Sequence, residues 1–89
     1  MSDPVTTLTK WFLRMPTPII LPELGIDPVT LSIWYADVGD PILEGEKVVE
    51  VLGNGATFDV VAPASGTLAE KRAFVNEQLA PGQVLGIVE

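Results

Sequence analysis

The chain overlays on itself after a shift of 37 residues, and this internal repeat restricts its possible folds more than any other feature. Thr30-Leu31 falls on Thr67-Leu68, Val38 on Val75, Gly45 on Gly82 and Val51 on Val88. Asp40 meets Glu77, Ile42 meets Leu79 and Val48 meets Leu85. Each copy runs strand, polar turn, short apolar pair, glycine turn, second strand. The first turns, Val38-Gly39-Asp40-Pro41 and Val75-Asn76-Glu77-Gln78, place Gly39 opposite Asn76. Glycine and asparagine are the residues that best tolerate left-handed backbone geometry. The second turns are Glu44-Gly45-Glu46 and Pro81-Gly82-Gln83. A β-rich half of this size cannot bury its own apolar face, so the two copies must pack on each other. The expected fold is all-β: a flattened antiparallel barrel or sandwich with a pseudo-twofold axis. A first strand near Ile19-Ile20-Leu21 completes the pairing. Leu31, Ile33 and Tyr35 alternate with period 2, but Trp34 interrupts the polar side. Trp34 reads either as a sheet-surface or rim aromatic or as a core aromatic.

Lys47-Val48-Val49-Glu50-Val51-Leu52 and Thr57-Phe58-Asp59-Val60-Val61-Ala62 are rich in β-branched and aromatic residues and read as strands. Gly53-Asn54-Gly55-Ala56 lies between them. Asn-Gly accepts the positive φ that a type I′ turn imposes at both central positions, so a tight hairpin is predicted here.

The run Ala56–Gly66 after this turn resembles the segment that follows the modified lysine of lipoyl domains. The likeness extends to Leu21-Pro22-Glu23-Leu24-Gly25, to Trp34 with Val38-Gly39-Asp40, to Gly45-Glu46-Lys47 and to Pro81-Gly82-Gln83-Val84-Leu85. It covers residues 17–89 and is similar to the lipoyl domain of the acyltransferase component of 2-oxoacid dehydrogenase complexes. Biotin carriers differ, with Met-Lys-Met at the tip. The resemblance implies a barrel-sandwich hybrid whose hairpin tip reads Asp-Lys-Ala and carries lipoate on the lysine. Here the matching tip is Asn54-Gly55-Ala56, and Gly55 has no side chain to modify. The expectation is therefore a domain without lipoate or other cofactor. It would be a non-catalytic interaction or assembly module whose partner is a protein such as a 2-oxoacid dehydrogenase component. The alternative is an acyl-group carrier modified at another lysine. Lys47, at a strand start, and Lys71, in the strand after the Pro63–Gly66 turn, both read as solvated lysines on strand faces.

Residues 1–16 fall outside the lipoyl-like pattern and form an N-terminal arm. Asp3 as N-cap and Pro4 at the first helical position start a short helix. Leu8, Trp11, Phe12 and Met15 then form one apolar stripe at i, i+3, i+4 and i+7. Pro16 and Pro18 end it. So short a helix needs a surface to bury the stripe: its own barrel, a partner protein or a second copy of the chain.

Composition removes several functions. The 89 residues contain no cysteine and no histidine, which excludes thiol nucleophiles, imidazole bases and zinc fingers. Five basic against twelve acidic side chains give a net charge of −7, which repels phosphate backbones and anionic membranes. No run of eighteen apolar residues and no secretory leader pattern is present, so a cytoplasmic location is expected. The acidic pairs Asp37 with Asp40 and Glu44 with Glu46 sit in or beside tight turns, where solvent screens them, and read as solubilising turn residues rather than as general acids or bases. Ser32 and Ser65 have no base to activate them, and no catalytic or metal-binding residues are assigned.

Overall fold

In the computed structural model, which describes residues 15–89, the sequence repeat is also a repeat of backbone pairing. The strands are β1 (Thr17–Ile20), β2 (Val29–Trp34), β3 (Pro41–Ile42), β4 (Lys47–Gly53), β5 (Ala56–Val61), β6 (Gly66–Lys71), β7 (Gln78–Leu79) and β8 (Val84–Val88). They form two four-stranded sheets, ordered β1-β8-β6-β3 and β5-β4-β2-β7. Every pairing described is antiparallel. The described residues include no helix, and the fold is all-β as the repeat demanded.

The 37-residue shift carries one sheet onto the other, register included. In the first half Leu31 faces Val51, Ile33 faces Glu50 and Trp34 faces Val49. In the second, Leu68 faces Val88, Glu70 faces Ile87 and Lys71 faces Gly86. Even the β-bulge recurs, between Leu31 and Ile33 and between Leu68 and Glu70. The short strands cross over between the halves: β7 pairs with β2, and β3 pairs with β6.

The glycine turns match to the same degree. Gly45 and Gly82 have φ of 84° and 81°. Leu43 N–H donates to the Glu46 carboxylate and Ala80 N–H to the Gln83 amide oxygen, each at 2.9 Å. Gly39 and Asn76 both take positive φ, 97° and 71°. Their N–H groups donate to Leu68 and Leu31, each in the opposite half.

Leu31 and Leu68, Val48 and Leu85, and Val51 and Val88 meet as repeat counterparts in one shared core, joined by Ile19 and Leu21. The bulge corrects one expectation. An extra residue shifts the side-chain phase of β2, so the alternation Leu31, Ile33, Tyr35 does not stay on one face. Leu31 is buried, whereas Ile33 and Tyr35 lie outside at 40% and 48% exposure. Trp34 accordingly turns inward, half-buried against the core.

Gly45→Ala and Gly82→Ala should destabilise the fold equally. An added Cβ meets nothing within 4 Å at either site. The cost is then the left-handed backbone penalty alone, about 1 kcal/mol in each case. Urea unfolding of the two variants checks this; unequal losses would mean the two turns are not equivalent.

Candidate functional site

The hairpin tip forms as the Asn-Gly pair dictates. Gly53 and Ala56 are the last paired residues of β4 and β5, which leaves Asn54 and Gly55 as a two-residue turn. Their φ values of 50° and 76° are both positive, as a type I′ turn requires. Asn54, Gly55 and Ala56 are all exposed. The loop from Pro22 to Pro28 packs against the base of this hairpin. A Cβ on Gly53 would come within 2.6 Å of Ile26 Cδ1 and 3.2 Å of the Pro28 carbonyl. A Cβ on Gly55, by contrast, would point into open space. Position 55 is therefore a solvent-facing point with room for a side chain and none present. A group attached through a lysine amide does not fit the residues that stand here.

The described lysines lie elsewhere. Lys47, at the other end of β4, is 3.2 Å from the Asp59 carboxylate, which raises its pKa, and its side chain is 66% exposed. Lys71 departs from the expected solvated side chain. It is 20% exposed, its ammonium lies 5.2 Å from the centre of the Trp34 ring, and Asp37 Oδ1 is 3.3 Å away. Trp34 Nε1–H donates to the Ala73 carbonyl at 2.8 Å. Trp34 and Lys71 are repeat counterparts, so each faces the other across the pseudo-twofold axis. That meeting was readable from the 37-residue shift, but the sequence reading did not bring the two residues together.

The acidic pairs hold turns. Asp40 Oδ2 accepts the Asp37 N–H at 2.8 Å, Glu46 accepts from Leu43, and the Glu44 N–H is taken by Ser65 Oγ at 2.9 Å. An open groove of about 790 Å³ between the 23–27 loop and residues 78–83 contains Glu23, Asp27, Gln78 and Gln83. Two of these are engaged locally: Glu23 caps Gly25 N–H, and the Gln83 amide bonds both Ala80 and Glu77. Among the described residues, no acidic cluster could hold a metal ion, and no helix is long and apolar enough to cross a membrane. Of the expected interaction residues, Met15 lies exposed just before β1, whereas Leu8, Trp11 and Phe12 lie outside the described residues.

Comparison with known proteins agrees with this geometry. The solution structure of the lipoyl domain of the 2-oxoglutarate dehydrogenase complex from Azotobacter vinelandii superposes with a TM-score of 0.61 at 25% identity. The match covers 78% of this chain and 86% of that one. The chain has the fold of a lipoyl domain. No protein-family profile matches it. Among curated proteins, it is 31% identical over 74 residues to the dihydrolipoyllysine-residue succinyltransferase component of the 2-oxoglutarate dehydrogenase complex of Rickettsia felis. It is 29% identical over 73 residues to the dihydrolipoyllysine-residue acetyltransferase component of the acetoin cleaving system of Bacillus subtilis. It is 30% identical over 71 residues to the corresponding pyruvate dehydrogenase component of Haemophilus influenzae. These alignments take in 80–81% of this lipoyl-like chain but 18%, 18% and 12% of the relatives.

Two outcomes follow from the surroundings of Tyr35 and Trp34. Tyr35 is the sole tyrosine, so an absorbance titration reports on it alone. Partial withdrawal from water and the nearby Glu50 and Asp59 carboxylates raise its pKa above the ordinary 10.0. The titration midpoint should lie above that value and fall in Glu50→Gln. A raised folded pKa means the contribution is complete below 10.0 and is lost as pH rises through the folded value. Trp34→Phe should cost about 1–3 kcal/mol in urea unfolding, because the Ala73 carbonyl loses its donor in a part-buried site.

Proposed function

We propose that this lipoyl-type domain is a non-carrier interaction module of a 2-oxoacid dehydrogenase-type acyltransferase assembly. It keeps the fold of an acyl carrier without the attachment point. The observation that carries this reading is the tip: an exposed Asn54-Gly55 turn, held in the geometry that presents a residue to solvent, with no amine on it. A swinging-arm carrier needs a nucleophilic side chain clear of neighbours. Lys47 and Lys71 are each held by a carboxylate, and Lys71 is also packed on Trp34. The kinship with acyltransferase components supports a protein partner from such a complex. The absence of an activated nucleophile or base among the described residues supports a binding rather than a catalytic part.

Intact-mass measurement after co-expression with a lipoyl ligase and lipoate tests the reading. No added lipoyl mass is expected. An increment of one lipoyl group, mapped to any lysine, would replace this reading with that of a carrier modified at an unconventional site. Gly55→Lys supplies the complementary measurement. The variant should gain the lipoyl mass, provided that the ligase accepts Asn54 beside the lysine. It should lose about 1 kcal/mol of stability, since lysine pays the left-handed penalty at φ +76° but meets no neighbour.

A further inference from the structure

Asn54 and Gly55 place a side-chain carboxamide beside a peptide nitrogen whose own residue has no side chain to shield it. Both residues are exposed, and the Gly55 N–H donates no backbone hydrogen bond among the described residues. The space that a Cβ on Gly55 would enter is open. Asn76, the only other asparagine, supplies a contrast within the chain. It also takes positive φ, 71°, but Glu77 follows it, and the Glu77 N–H donates to the Phe74 carbonyl at 3.0 Å. Like side chains on like backbone therefore differ in whether the next nitrogen is engaged.

We propose that Asn54 is a self-modifying site, at which the hairpin tip converts without an enzyme to aspartate and isoaspartate. Hydroxide takes the proton of the Gly55 N–H, and the nitrogen attacks Asn54 Cγ. The N–Cγ bond forms and the Cγ–Nδ2 bond breaks. The departing nitrogen takes a proton back from water and leaves as ammonia. Water then opens the resulting succinimide. Cleavage of the N–Cγ bond leaves aspartate with the backbone restored. Cleavage between the Asn54 carbonyl carbon and the nitrogen leaves isoaspartate, whose backbone runs through Cβ and Cγ. The balance is one water in and one ammonia out, with nothing oxidised or reduced.

The turn gates the reaction. A type I′ turn holds ψ of its first central residue at about +30°, which turns the Gly55 nitrogen away from the Asn54 Cβ. Ring closure needs the two eclipsed, at ψ of about −120°, the value that a type II′ turn gives the same residue. The two turns differ by rotation of the peptide plane between Asn54 and Gly55, so the Gly53 and Ala56 pair stays closed. Gly55 passes from φ +76° to a negative value, which glycine accepts freely. Asn54 leaves the geometry it prefers, since a type II′ turn favours glycine at that position. The reaction is thus slower than in an unfolded chain yet requires no unfolding. It needs only this dipeptide and water, so it stands or falls separately from the reading of Gly55 as a lost attachment point.

The test is incubation of the full chain in mildly alkaline buffer, then peptide mapping with fragmentation that separates isoaspartate from aspartate. Asn54 should be lost to both acids, with isoaspartate in excess and a rate proportional to hydroxide, while Asn76 stays intact. In Gly55→Ala the loss should slow by an order of magnitude, because the added methyl group crowds the attacking nitrogen. Gly45→Ala lowers global stability from the opposite end of the β4–β5 hairpin and should leave the Asn54 rate unchanged. Urea sufficient to unfold the chain should raise that rate severalfold. Survival of Asn54 in the folded chain under conditions that convert it in urea would overturn the proposal. So would equal loss at Asn76, or a severalfold faster loss in Gly45→Ala, because the reacting species would then be the unfolded chain.

Discussion

Each half of this molecule completes the other's sheet. β3 comes from the first repeat and lies against β6, while β7 comes from the second and lies against β2. The turns that lead into these strands are tied across in the same way, Gly39 to Leu68 and Asn76 to Leu31. Without the exchange, β2 and β6 would each expose an unpaired edge, and the shared core would open to water on one side. Backbone groups buried without partners carry a large penalty, so the reciprocal pairing makes the domain cooperative despite its size. The left-handed turn residues serve this exchange by turning the chain from one sheet to the other.

The hairpin tip stands apart from that framework. Its turn is closed by the Gly53 and Ala56 pair, and Gly55 supports nothing in the core. The scaffold can therefore keep its pairing and packing whatever residue occupies the tip. A domain of this type could lose its carrier residue without a structural penalty, which separates the question of fold from the question of activity. The base of the hairpin is more constrained, because Ile26 lies directly against Gly53.

Much of the architecture was legible in the sequence because the repeat recorded positional equivalence. Gly45 with Gly82, Gly39 with Asn76 and Leu31 with Leu68 all announced like environments before any coordinates. The Asn-Gly turn was legible for a local reason, the φ values it must adopt. The phase of β2 after Leu31 was not, since a bulge leaves no compositional mark and reverses the faces of Ile33, Trp34 and Tyr35. Lys71 was misjudged for a related reason. Read as an isolated strand residue it belongs in water, but its position opposite Trp34 across the axis gives its ammonium a ring face and a carboxylate. For the candidate site, the sequence identified which tip residues matter. It could not indicate that the turn acids Asp40 and Glu46 are occupied with backbone N–H groups.

A duplicated fold supplies its own control experiment. Where both copies must do the same job, as in the core and the crossing turns, the residues match in size or in backbone preference. Where they diverge, the framework is not what selects the residue. Two such divergences stand out: Trp34 opposite Lys71 and Glu50 opposite Ile87. The first converts a symmetric contact on the axis into a complementary one, a cation against a ring. The second puts a carboxylate in the middle of one outer row and an isoleucine in the middle of the other. Together they give a symmetric scaffold two distinguishable sides, so the repeat fixes the fold without making the two halves chemically alike.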